Sequence, residues 1–194
     1  QHTAYVAALE AGGYTTVSIE SDEDHPDCLF VEDTAVVVGE HALVTRPGHE
    51  SRRGEVDPVA DALADHVRLH RVRAPATIDG GDVLVAGRRV LVGLSTRTNV
   101  QGVKALAAIA EPQGIVVTPI EVGSVLHLKS GLSAVDDTTL LWHPRACERD
   151  DLAGFRVVEV PGDDPEAANV VRLADGRILV GSHNPATAQV VEGL

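Results

Sequence analysis

Apolar and polar positions along this chain fall into one pattern that recurs four times. The segments are VEDTAVVVGEHALVTRP from Val31, DGGDVLVAGRRVLVGLS from Asp79, LKSGLSAVDDTTLLWHP from Leu128 and ANVVRLADGRILVGSHN from Ala168. Each reads as an apolar strand, a polar turn and a second apolar strand. The turns Gly39-Glu40-His41, Gly87-Arg88, Asp136-Asp137 and Asp175-Gly176 carry hairpin chemistry. After the first two hairpins the apolar spacing becomes helical: Val56, Val59 and Leu63 share one face, and Val103, Leu106, Ala107 and Ala110 another. Strands follow at 67–72 and 115–120. In the third copy a shorter, weaker helical segment from Ala146 leads to a strand at 155–160. The unit is therefore ββαβ, with complete copies at about 27–75, 76–122 and 125–162. A period of about 40–50 residues is the signature of a radial or stacked repeat.

The ends of the chain hold partial units. Residues 1–20 predict a helix, with Val6 and Leu9 on it, and a strand over 14–20, but no hairpin precedes them. Residues 168–194 predict a hairpin and a helix over 186–191. Open strand edges are a liability, so the expected architecture is one α/β domain across 1–194. It is a five-fold ring of ββαβ units with its terminal half-units missing. The chain begins Gln1-His2-Thr3 and contains no Met, which fits missing residues at the start.

Composition narrows the partners. With 194 residues, 44% of them hydrophobic, the chain can bury one sizeable core. A formal net charge of −13 argues against nucleic acid or an anionic membrane and favours a cationic ligand. No apolar run approaches the roughly 20 residues of a membrane span. Cys28 and Cys147 form neither a metal pattern nor a disulfide framework, so a cytoplasmic setting is expected. His66 and His70 stand four residues apart with no third ligand evident, and read as a solvated helix end rather than a metal pair. No cofactor and no metal are expected.

Polar residues recur where each unit's first strand begins: Glu32 and Asp33, Asp79 and Asp82, His127, and Asn169. An acid at a strand start is commonly a turn residue, yet independent turn residues have no reason to share a register. Arranged about an axis, these mouths converge on one pocket of acids and a histidine. Carboxylates there match the fixed donor fork of a planar guanidinium.

Five short stretches, PDCLFVED (26–33), TRPG with SRR (45–53), DGGDV (79–83), GLSTRTN (93–99) and HLKS (127–130), resemble the dimethylarginine dimethylaminohydrolase family. That family belongs to the guanidino-modifying amidinotransferase superfamily, and the likeness spans nearly the whole chain. It implies a five-fold pseudosymmetric α/β propeller that hydrolyses Nω-methylated arginines to citrulline and methylamine or dimethylamine, acting as monomer or homodimer. A cysteine thiolate attacks the guanidinium carbon in such enzymes. The resemblance makes His127 the proton donor to the leaving amine and Asp79 the acid that orients it. Glu32 and Asp33 flank the guanidinium, Asp27 grips the α-amino group, and Arg52 and Arg97 hold the α-carboxylate. Asp82 supports the Gly80-Gly81 turn.

Two departures follow from the same comparison. Arginine deiminases carry an acid two residues after the equivalent histidine, where this chain has Lys129, which favours methylated over bare guanidinium nitrogens. The nucleophilic cysteine of the family falls beyond Leu194 and its lid ahead of Gln1, and neither Cys28 nor Cys147 occupies the nucleophile's place. The competing readings are an arginine deiminase or amidinotransferase of the same superfamily, and a non-catalytic guanidine-binding protein.

Overall fold

The computed structural model describes residues 2–194. Its first element is a helix, α1 (His2–Ala11), followed by the first hairpin, β1 (Ala35–Val38) and β2 (His41–Val44). Helix α2 (Val56–Leu63) then returns the chain to β3 (Arg68–Arg71), which lies parallel to β2. The second unit repeats this order in β4 (Val83–Ala86), β5 (Arg89–Leu94), α3 (Val100–Ala110) and β6 (Val116–Glu121). The third has β7 (Leu132–Ala134), β8 (Thr139–Trp142) and β9 (Arg156–Glu159). A fourth hairpin, β10 (Val171–Arg172) and β11 (Ile178–Leu179), leads into α4 (Pro185–Glu192).

Equivalent residues pair in equivalent places, as Val36 with Leu43, Leu84 with Leu91 and Ser133 with Leu141 show. The β-branched and leucine-rich runs suit strands covered on both faces. Gly39 and Gly87 occupy the same turn position with φ of +59°, a left-handed conformation that glycine adopts without a Cβ clash. Helix α3 is started by Asn99, whose side-chain oxygen accepts from the Gly102 N–H at 2.9 Å.

Two sequence expectations are corrected. The third unit has no α-helix: the connection His143–Phe155 contains only a 3-10 turn at Arg149–Leu152. A parallel crossover needs about a dozen residues, so this one spans the distance without room for a full helix. Trp142 Nε1 pins it by donating to the Cys147 carbonyl at 3.0 Å. Residues 14–20 are not a strand, because a strand exists only against a partner and no described residue pairs with them. The N-terminal segment docks instead on the fourth hairpin. Tyr14 Oη accepts from the Ala174 N–H at 2.6 Å, and Arg177 donates to the Ala11 carbonyl at 3.0 Å.

Apolar clusters fill the seams between neighbouring units. Val36, Val38, Leu43, Ile78, Val90 and Leu106 join the first to the second. Leu84, Leu91, Leu128, Leu132, Leu140 and Trp142 join the second to the third, and Leu141, Val160 and Val170 the third to the fourth hairpin. One feature of the repeat sets the location of function. A 3-10 turn precedes each first strand, at Val31–Asp33, Gly80–Asp82, Leu128–Ser130 and Pro165–Ala168. Each of these turns touches the next in sequence order.

Candidate active site

Stacked turns bring together residues far apart in the chain. Asp79 and His127 each stand immediately before the turn of their own unit, with extended backbones (φ/ψ of −104°/138° and −131°/154°). Asp33 ends the turn of the first unit. Among the described residues, Asp33, Asp79 and His127 form the one His/Cys/Asp/Glu trio whose polar atoms lie within 4.8 Å of one another. Such a trio could hold a small cation, but its oxygens already serve Gly48, Gly81, Arg52 and His127.

The bonding is specific. Asp79 is fully buried; its Oδ1 accepts from the Gly48 N–H at 2.8 Å and its Oδ2 lies 3.2 Å from His127 Nε2. Asp33 Oδ1 accepts from the Gly81 N–H at 2.7 Å, and its Oδ2 from Arg52 Nη1 at 2.5 Å. Gly81 is where the three units meet. A Cβ at this position would lie 2.7 Å from Asp33 Oδ1 and 2.9 Å from His127 Cγ. Any side chain there would push the carboxylate and imidazole apart. This explains an acid–glycine–glycine–acid run at the mouth of a core strand.

The remaining expected residues divide. Glu32 projects from the Val31–Asp33 turn, its side chain 65% exposed, and its Oε1 accepts from Lys129 Nζ at 2.7 Å. Arg97 is half-buried, and no described residue bonds its guanidinium; only its backbone N–H is used, by Ser95 Oγ at 2.9 Å. Asp27 is exposed and contributes its carbonyl to Arg52 at 3.3 Å. Arg52 is buried and donates to Asp33, to Glu55 at 2.9 and 2.8 Å, and to the Asp27 and Phe30 carbonyls. Its guanidinium thus already holds two carboxylates, and it is the counter-ion that fixes Asp33. Asn169, the fourth recurring polar position, is exposed at the end of its turn and stays outside the trio.

Electrostatics follow from this packing. Burial alone would lower the His127 pKa. The Asp79 hydrogen bond, and the charges of Asp33, Asp82 and Asp79, outweigh burial and hold it above the usual histidine value. With Asp79 at Nε2, that nitrogen carries a proton in both charge states, leaving Nδ1 to exchange one. Arg52 is held far on the charged side: burial opposes its charge, but Glu55 and Asp33 overcome that cost. Burial pushes the Cys147 thiol up to about 11, so at neutral pH it is an inert S–H. Cys28 Sγ is engaged with the backbone of Asp22. Gly48, Ser95 and Thr98 lie inside the motifs read from the sequence but were given no role there. Their signal was membership of a motif, which carries no direction for a side chain.

Known proteins resemble this chain throughout. A family model for arginine deiminase matches residues 23–175. An N(G),N(G)-dimethylarginine dimethylaminohydrolase of Streptomyces coelicolor is 41% identical over 195 positions, covering 100% of this chain and 74% of the relative. One of Pseudomonas aeruginosa is 31% identical, covering 100% of this chain and 77% of the relative. A structure of the Pseudomonas enzyme, as a cysteine-to-serine mutant complexed with citrulline, superposes with a TM-score of 0.93 at 30% identity. It covers 99% of this chain and 76% of that one. By sequence and by fold, the chain belongs to the dimethylarginine dimethylaminohydrolase family of the amidinotransferase superfamily.

Proposed function

We propose that this protein hydrolyses Nω-methylated arginines to citrulline and methylamine or dimethylamine. The observation that carries the reading is the meeting of Asp33, Asp79 and a protonation-prone His127 from three repeat units at one point. The names of the relatives support it independently.

The guanidinium sits against Glu32 and Asp33, which localise its charge. A cysteine thiolate attacks the guanidinium carbon, forming a C–S bond. His127 gives its Nδ1 proton to the methylated nitrogen as the C–N bond breaks and the amine leaves. Water then loses a proton to His127 and attacks the same carbon; collapse expels the thiolate, and the remaining hydroxyl proton passes to solvent to leave a ureido oxygen. Cys147 is excluded as the nucleophile by its protonation state and burial, and Cys28 by its backbone contacts away from the trio. The thiol of this proposal is assigned to neither of them, and the chain spans 74% and 77% of the two relatives' lengths. Arg97, with its guanidinium uncommitted, holds the α-carboxylate; Asp27 takes the α-amino group; Arg52 acts on the ligand only through Asp33.

The arginine deiminase model match favours a second reading, turnover of unmethylated arginine. Citrulline release by the full-length natural protein from asymmetric dimethylarginine and from arginine separates the two. Faster turnover of the dimethylated substrate is expected, and faster turnover of arginine would reverse the assignment. His127→Ala is expected to abolish turnover with dimethylarginine still bound, whereas Arg97→Ala raises KM with little change in kcat. An unchanged kcat in the histidine variant would sink its assigned role.

A further inference from the structure

Asp82 is as buried as Asp79 and carries more of the site than a turn residue requires. Its Oδ2 accepts from Ser95 Oγ and from Thr98 Oγ1, both at 2.7 Å, and its Oδ1 accepts from the Leu128 N–H at 3.0 Å. The two hydroxyls are themselves committed. Ser95 Oγ accepts from the N–H groups of Arg97 at 2.9 Å and Thr98 at 3.2 Å, which fills both of its lone pairs. Thr98 Oγ1 accepts from the Asp79 N–H at 3.1 Å. Each hydroxyl has one hydrogen to give, and Asp82 receives both. The polarity of the network is therefore dictated by an acceptor-only group at residue 82.

We infer that Asp82 is a positioning residue for both ends of the substrate. Through Ser95 it sets the 95–98 turn that presents Arg97 to the α-carboxylate. Through Thr98 and Leu128 it sets the backbones of Asp79 and His127, and so the ring that moves the proton. The inference rests on the assignment of Arg97 and His127 above, and it makes one buried carboxylate the common anchor of binding and chemistry.

The two arms are separable by substitution. Ser95→Ala cuts the arm to Arg97 and leaves the Thr98 hydroxyl bonded to Asp82 and to the Asp79 N–H. Its KM for dimethylarginine is expected to rise about tenfold, the worth of a hydrogen bond to a charged group, with kcat within about twofold. Its KM for the decarboxylated analogue, a dimethylated agmatine, stays at the wild-type value because Arg97 has no partner on that molecule. Thr98→Val does the reverse: kcat falls about tenfold and the alkaline limb of the kcat–pH profile moves to lower pH, as Asp79 loosens its hold on His127. Thr98→Ser restores both.

Asp82→Asn damages at least one arm, since its NH2 must face either the Ser95 and Thr98 hydroxyls or the Leu128 N–H, which are all donors to residue 82. A near-ultraviolet spectrum and unfolding midpoint taken on each variant confirm that the fold is kept. Equal KM rises for the two substrates in Ser95→Ala, or a Thr98→Val profile unmoved in pH, would overturn the inference. Calorimetric Kd values for both ligands are measured alongside. A wild type that binds dimethylarginine without turning it over defeats the proposed activity alone, and the Ser95→Ala binding difference still decides the Arg97 arm.

Discussion

Lys129 reaches Glu32 across 97 residues of sequence, and the pair changes how the site is charged. The sequence suggested an anionic cradle. In the structure its acids come with partners: Asp33 with Arg52, Glu32 with Lys129, Asp79 with His127. In the proposed binding mode a substrate guanidinium competes with that ammonium for Glu32. Since Glu32 is largely exposed, the pair is worth little, and Lys129→Met is expected to lower KM for dimethylarginine by at most about fivefold. A rise in KM measured for that variant would mean that Lys129 assists binding instead. His127 gives a pH prediction of definite sign. Its folded-state pKa is raised by Asp79 and neighbouring carboxylates against the effect of burial, so the charged ring stabilises the fold fully below about pH 6.5. That contribution is lost as pH climbs through the raised value. The gap in unfolding midpoint between wild type and His127→Gln should be wider at pH 5.5 than at pH 8.5. The residue types were legible in the sequence at this scale. The partners of Arg52 were not: its motif named a cation, while burial placed two carboxylates against it.

Hairpins were the elements easiest to foresee, because strand alternation and Asp/Gly turns are local properties of a few residues. The third hairpin shows how local the control is. Asp136 Oδ1 accepts from the Thr138 N–H at 2.7 Å, the Thr138 hydroxyl at 2.8 Å and the Thr139 N–H at 2.8 Å. The Thr138 backbone bond leads in drawing its pKa down to about 2. Its stabilising effect is present above about pH 3.9 and fades as pH falls toward 2. Asp136→Ala should lower the unfolding midpoint at pH 7 by a few degrees, roughly the effect of about 1 kcal/mol. The deficit should shrink as the melts approach pH 3; a constant deficit would assign the effect to something other than this carboxylate. Elements that need a distant partner or a set span were misread. Residues 14–20 have strand composition and no ladder, and the third crossover has helical hints and too short a path.

At the scale of the molecule, stability lies between units, since no single small sheet buries both its faces. Leu106 of α3, completely enclosed with Val36, Ile78 and Val90, closes the seam of the first and second units. Leu106→Ala should cost about 2–5 kcal/mol in chemical unfolding. The kcat measured well below the midpoint should stay near wild type, because Leu106 contributes none of the hydrogen bonds that hold the trio. A loss under about 1 kcal/mol would mean that the seam can collapse around the gap. The sequence by itself determined the ββαβ rhythm, the turns that punctuate it and the chemistry of the strand mouths, all set by spacing over a few residues. Only the tertiary structure decided which of those polar groups face one another and which are held by a neighbour. Periodicity places a side chain on a face of its own element. Contacts among Asp33, Asp79, Asp82 and His127 depend on the close stacking of separate units, for which Gly81 leaves the room.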